Sequence, residues 1–286
     1  MQRAVDKARV LIEALPYIRT FRRRTFVVKV GGRALEDLAL RERLAEDLIL
    51  LSWVGVHVVV VHGGGSQVSA MLDRLGIAAT FRGGLRVTDE RTLEVVEMVL
   101  GGTLNKEIVR LIDRLGGRAV GLTGKDGGMV RARRHRDDLG LVGEVAAVDP
   151  AVIDHLLGDY IPVIAPLAIG ADGETLNVNA DPFAAALAAA LDAEKLVLLT
   201  DVEGVLDADG SLISTLRATD ADRMIADGTI GGGMIPKVQH ALAALTAGVR
   251  KVHIIDGRVE HALLLEIFTN QGIGTQVVRD PEEGQP

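Results

Sequence analysis

Lys29 stands inside the apolar run Phe26-Val27-Val28-Lys29-Val30, and Gly31 and Gly32 follow at once. An ammonium group among valines is costly or loses its proton, unless an anion meets it or its stem carries the charge to water at the strand's end. Lys237 repeats the pattern: it follows Gly231, Gly232, Gly233 and Pro236, a proline suited to the first turn of a helix. A lysine there repels the positive end of the helix dipole unless a strong anion lies between them. A third glycine run, Gly63, Gly64 and Gly65, follows a valine strand that closes on His62 and opens onto a helix from about Ser66. Glycines let a ligand approach the backbone, and the helix start supplies unpaired N–H groups. One glycine would serve a tight turn, and one such lysine is usually just solvated. Two lysines beside glycine runs, with a third cradle, point to a polyphosphate clamp.

The counter-charge comes from "NVNADP". Asp181 before Pro182 reads as a helix N-cap with proline at the first helical position. Asn177 and Asn179, alternating on the extended segment before it, add directional amides. Arg86 in the Gly-flanked loop "GLRVTD" suits bidentate capture of a carboxylate. Thr200 and Asp201 end another apolar run, where α/β sheets contact nucleotides. Other chemistries lack their parts. "HGGG" has no G-x-S-x-G nucleophile elbow beside it, and neither a Walker A lysine nor a strand-borne G-x-G-x-x-G occurs. Cysteine is absent, which removes thiol catalysis, disulfides and thiolate metal sites, and fits a reducing cytoplasm. A net charge of −7 argues against a nucleic-acid surface, and no apolar run is long enough to span a membrane.

The elements that must carry these groups alternate regularly. Apolar runs predict strands over 25–30, 56–61, 119–122, 160–165, 196–200, 251–255 and 275–278. Helical periodicity fills 38–53, 67–75, 89–115, 150–157, 182–191, 236–247 and 260–268. That order predicts an α/β fold, a mostly parallel central sheet sandwiched between helices, with ligands at the carboxyl ends of the strands. With aromatics at only 3%, the core must be aliphatic. Residues 1–24 stand outside the rhythm as an extra amino-terminal helix. Val5, Ala8, Leu11, Ile12, Leu15, Ile18 and Phe21 share one stripe, and Pro16 is expected to kink it. The stripe needs cover, either from its own domain or from another subunit.

Taken together, "KVGG", "VVVHGGG", "GLRVTD", "VVEMVL", "NKEIV", "GLTGKDG", "NVNAD", "LLTDVEGVL" and "GGGMIPK", in this order over about 24–279, resemble the N-acetylglutamate kinases, within the amino-acid kinase fold. Ser66 and the "DPF" after the motif aspartate depart from the family pattern. The resemblance implies ATP-dependent phosphorylation of the γ-carboxylate of N-acetyl-L-glutamate, with Mg2+ carried on the nucleotide phosphates and no dedicated metal cage. Lys29, Lys237 and Asp181 are the implied catalytic residues. Gly64, Gly65, Arg86, Asn177 and Asn179 are implied on the acyl substrate, and Gly31, Gly32, Gly63, Thr200, Asp201, Gly231, Gly232 and Gly233 on the nucleotide. It also implies an acyl-substrate lobe over 25–193 and a nucleotide lobe over 194–286. "HALLLEIFTNQGIGT" and the kinked first helix resemble arginine-inhibited members that assemble as hexamers, trimers of dimers. Lys195, His253, Glu266 and Gly272 are the implied contacts for L-arginine. A sister kinase acting on carrier-linked aminoadipate or glutamate, and a non-catalytic arginine-binding regulator, remain the alternatives.

Overall fold

The computed structural model describes residues 2–135, 137–269 and 272–280; the side chains of Val5 and Ala8, and Asn270 and Gln271, lie outside the described residues. The chain runs α1 (Gln2–Phe21), β1 (Thr25–Val30), α2 (Arg33–Glu36), α3 (Leu38–Trp53), β2 (His57–His62), α4 (Gly65–Arg74), β3 (Phe81–Arg82), β4 (Leu85–Arg86) and α5 (Glu90–Val96). A π-helical stretch (Glu97–Leu104) leads into α6 (Asn105–Arg114), then β5 (Ala119–Thr123), β6 (Val130–Arg134), β7 (Val142–Val148), α7 (Ala151–Leu156), β8 (Ile161–Ala165), β9 (Leu167–Ile169) and β10 (Thr175–Val178). The last part holds α8 (Ala180–Ala190), β11 (Lys195–Thr200), β12 (Thr215–Arg217), α9 (Ala218–Ala226), α10 (Met234–Thr246), β13 (Lys251–Asp256), α11 (Ala262–Phe268) and β14 (Thr275–Val278).

Eight strands form the central sheet in the order β12-β14-β13-β11-β1-β2-β8-β5. Every pair is parallel except β13 with β14. All seven predicted strands are in it. Strand alternation sorts the core into two layers. Phe26, Val28 and Val30 pack with α3, α4, α6 and α11, whereas Val27, Val59 and Val61 pack with α8 and α10. Lys29 shares the parity of Val27, so β1 presents it to the face that α8 covers. It is the penultimate residue of β1, paired across to Val61 and Leu198 at the sheet's carboxyl edge.

A second, closed sheet, β10-β7-β6-β9, and the hairpin β3–β4 lie outside the predicted strands. The run predicted as one helix over 89–115 is broken by its π-helical middle. Helix α1 runs unbroken through Pro16, which has no N–H to donate to the Ile12 carbonyl. Its cover is divided. Tyr17 stacks edge-on with Phe268 of α11, and Phe21 with Phe26 of β1. Val10, Leu11 and Ile12 stay 63%, 72% and 67% exposed.

Candidate active site

Four loops converge at the carboxyl edge of β1 and β2. Lys29 Nζ lies 2.7 Å from Asp181 Oδ1, and Lys237 Nζ lies 3.9 Å from Asp181 Oδ2. The carboxylate therefore bridges the two ammonium groups. Burial would raise the Asp181 carboxyl, but Lys29, by charge and hydrogen bond, and then Lys237 and His240 hold it below the ordinary aspartate value. It stays ionised between two cations.

Asp181 is free to do so because it is not the cap of α8, as the sequence suggests. Asn179, with extended φ/ψ, takes that position and accepts from the Asp181 N–H at 2.9 Å. The helix starts at Ala180, two residues before the proline rule places it, and Pro182 falls at its third position. Helix α10 behaves alike: it begins at Met234, so Pro236 and Lys237 sit within its first turn.

The glycine loops shape the rest. Gly64 has φ of +146°, and a Cβ there would stand 2.6 Å from side-chain atoms of Leu100 and Leu104. Only glycine lets the loop pass so close to the π-helical stretch. Gly63 donates its N–H to the Val30 carbonyl at 2.7 Å, tying this loop to the end of β1. Gly31 follows Lys29 closely enough that a Cβ would meet its Nζ at 2.9 Å. Gly32 has φ of +57° and leads into α2, where the Arg33 N–H donates to Asp201 Oδ1 at 3.0 Å. The Thr200 hydroxyl donates to the Val202 carbonyl at 3.0 Å, so that side chain braces its own turn. Gly231, Gly232 and Gly233 are exposed ahead of α10.

Arg86 occupies β4 of a short hairpin rather than a loop, and is 9% exposed. Its Nη2 donates at 2.8 Å to both the Gly65 carbonyl and Ser69 Oγ, and the guanidinium lies 4.7 Å from the centre of the Phe81 ring. Its Nη1 is buried without a hydrogen-bond partner. A buried guanidinium with spare N–H groups calls for a carboxylate. The group faces a cavity of about 210 Å³ lined by Gly63, Gly64, Gly65, Asn177 and Asn179. Asn177 Nδ2 donates to Thr88 Oγ1 at 3.2 Å, which orients its amide. Ser69, Phe81 and Thr88 are part of this site although no spacing signals them.

His62 and Asn105 support the loop from beneath. Both are fully buried. His62 Nδ1 contacts the Gly63 carbonyl at 2.8 Å, and Asn105 Nδ2 lies 3.2 Å from His62 Nε2 and 2.9 Å from the Val163 carbonyl. The tautomer that satisfies both carries its proton on Nδ1. Burial pushes the imidazole down to about 4. Among the described residues, no group of three or more His, Asp or Glu side chains is arranged to hold a metal ion.

A second charged cluster lies at the other end of β11. Lys195 Nζ is 2.9 Å from His253 Nε2, and His253 Nδ1 is 2.6 Å from Glu266 Oε1. Glu266 Oε2 accepts from the Ile273 and Gly274 N–H groups. Burial, then Lys251, lowers Lys195 to about 8. Burial also lowers His253, against the pull of Glu266, so the chain runs ammonium, neutral imidazole, carboxylate. These three and Gly272 line a cavity of about 690 Å³, closed on one side by Tyr17 and Phe21 of α1.

An amino acid kinase family model matches residues 24–256. An acetylglutamate kinase of Methylobacillus flagellatus is 53% identical over 285 residues, spanning 96% of this chain and 97% of that protein. N-acetylglutamate synthase from Neisseria gonorrhoeae, complexed with coenzyme A and N-acetyl-glutamate, superposes with a TM-score of 0.85 at 31% identity, over 96% of this chain. This chain spans 64% of that longer protein. The same synthase complexed with coenzyme A and L-arginine gives 0.81 at 29% identity over 96% of this chain and 65% of that one. The family match and the curated relatives make the chain a phosphotransferase with a carboxyl group as acceptor. The chain belongs to the amino acid kinase family.

Proposed function

We propose that this chain transfers the γ-phosphoryl group of ATP to the γ-carboxylate of N-acetyl-L-glutamate in the cytoplasm, the second step of arginine synthesis. The product is N-acetyl-L-glutamyl 5-phosphate. The observation that carries the reading is the Lys29–Asp181–Lys237 bridge beside a cavity where Arg86 keeps a free N–H. A γ-carboxylate is ionised at neutral pH and needs no base. One of its oxygens forms the bond to phosphorus while the bond to the β-phosphate oxygen breaks, and that electron pair leaves on ADP. Catalysis reduces to alignment and charge stabilisation. Lys29 meets the transferred oxygens, Lys237 meets the leaving phosphate, and Asp181 sets the direction of both. The N–H groups of Gly32, Gly64 and Gly65 hold phosphoryl oxygens, while Arg86 takes the α-carboxylate and Asn177 the amide. Mg2+ enters on the phosphates as part of the nucleotide substrate.

In this reading residues 25–193 carry the acyl substrate and 194–286 the nucleotide. L-Arginine binds at Lys195, His253, Glu266 and Gly272, and α1 links copies of the chain into a hexamer. The test is ATP consumption with N-acetylglutamate, glutamate, aspartate or UMP, each with and without L-arginine. Turnover confined to N-acetylglutamate, suppressed by arginine, is the expected pattern. Turnover of another acceptor in its place overturns the substrate assignment.

A further inference from the structure

Gly84, Leu85, Val142 and Asn179 line both the cavity before Arg86 and a neighbouring cleft of about 600 Å³. That cleft lies between α8 and α10 on one side and β7 with the 83–85 turn on the other. Its helix wall is built from small apolar side chains, among them Ala185, Ala186, Ala243 and Ala247. Alanines on two facing helices leave room that leucines would fill. His135 and His240 add the hydrogen-bonding points, each with a buried Nδ1 that has no partner.

A substrate held with its α-carboxylate on Arg86 and its γ-carboxylate toward Lys29 has one arm left, the acyl group on its nitrogen. Asn177 and Asn179 line the Arg86 cavity, and Asn179 lines the neighbouring cleft as well. We propose, building on the acceptor reading above, that the acyl arm passes at Asn179 from the Arg86 cavity into this cleft. The chain then accepts N-acyl-L-glutamates with apolar chains well beyond acetyl, butanoyl to hexanoyl, and phosphorylates the same γ-carboxylate.

The test is a steady-state series with N-acetyl-, N-butanoyl- and N-hexanoyl-L-glutamate. Each methylene moved from water into an apolar lining strengthens binding about fourfold. KM therefore falls by about fivefold or more per step, discounted for partial burial, while kcat holds. Ala186→Leu combined with Ala243→Leu, which touches neither lysine nor Arg86, keeps the N-acetyl parameters and reverses the trend. If KM rises with chain length while N-acetyl-L-glutamate is still turned over, this inference fails and the acceptor reading stands. If none of the three is turned over, the acceptor reading fails and takes this one with it. Should the double variant not fold, the series on the unaltered chain decides alone.

Discussion

Lys29 and Asp181 are 12% and 13% exposed in their side chains, so the position of each is set by the other and by what enters beside them. Lys29→Ala removes a preorganised cation but no packing volume that the sheet needs. Turnover is expected to fall by ~10²–10⁴-fold with the circular dichroism spectrum unchanged; an active alanine variant would refute the assigned role. Arg86→Lys tests the other end of the substrate. A lysine keeps the charge but loses the planar fork, so KM for the acyl substrate rises by about 10–100-fold with kcat little changed. A fall in kcat at constant KM would move Arg86 from binding to chemistry. Lys29, Lys237 and Arg86 are legible in the sequence because a charge set in an apolar or glycine-rich run demands a partner. The division of labour between Asn179 and Asp181 is not. Both residue types cap helices, and only the folded position of the two lysines decides which side chain is released for them.

Strand β2 and helix α3 each bury a titratable group, and the two respond to acid in opposite directions. Folding lowers His62 from 6.5 to about 4, so between those values the unfolded chain binds more protons and stability falls as pH drops. Asp47 is 1% exposed and accepts from His261 Nδ1 at 2.6 Å, with the Leu263 and Leu264 N–H groups of α11 also on its carboxylate. Burial raises it from 3.8 to about 6, so there the folded chain binds more protons and acid relieves the cost. In urea unfolding at pH 7 and pH 5, His62→Gln is expected to lose about 2 kcal/mol less on acidification than the parent chain. Asp47→Asn should lose more than the parent. Shifts of the same sign in both variants would contradict this assignment. Element existence is readable where apolar runs are continuous, as in β1, β2 and β11. It is not readable in β6, where "VRARR" buries only Val130 and Ala132 between arginines, nor in β9, which is three residues long. The π-helical stretch lies inside a run that reads as one helix, and its Leu100 and Leu104 are the side chains that pack against Gly64.

Across the whole molecule, the first helix and the last strand pair meet around one cavity, far along the sheet from the lysine bridge. Tyr17 and Phe21 form its wall from α1, and Glu266 and Gly272 its floor from the carboxyl-terminal segment. Both oxygens of Glu266 are engaged, one by His253 and the other by two backbone N–H groups, which fixes the carboxylate in place; in the proposed reading it is this oriented carboxylate that takes the planar guanidinium of L-arginine. The exposed Val10, Leu11 and Ile12 lie on the same helix, so a ligand that moves α1 acts on whatever covers that face. Two changes separate the parts of this arrangement. Glu266→Gln keeps shape and removes charge, so the arginine concentration for half inhibition rises by at least about tenfold while kcat without arginine holds. A chain beginning at residue 24 loses Tyr17, Phe21 and the apolar stripe together. It is expected to sediment as a smaller assembly and to respond weakly to arginine, yet to retain turnover, because the lysine bridge draws nothing from α1. If the shortened chain keeps both its assembly size and its arginine response, then α1 is only a lid on its own core, and the coupling proposed between the two ends is wrong.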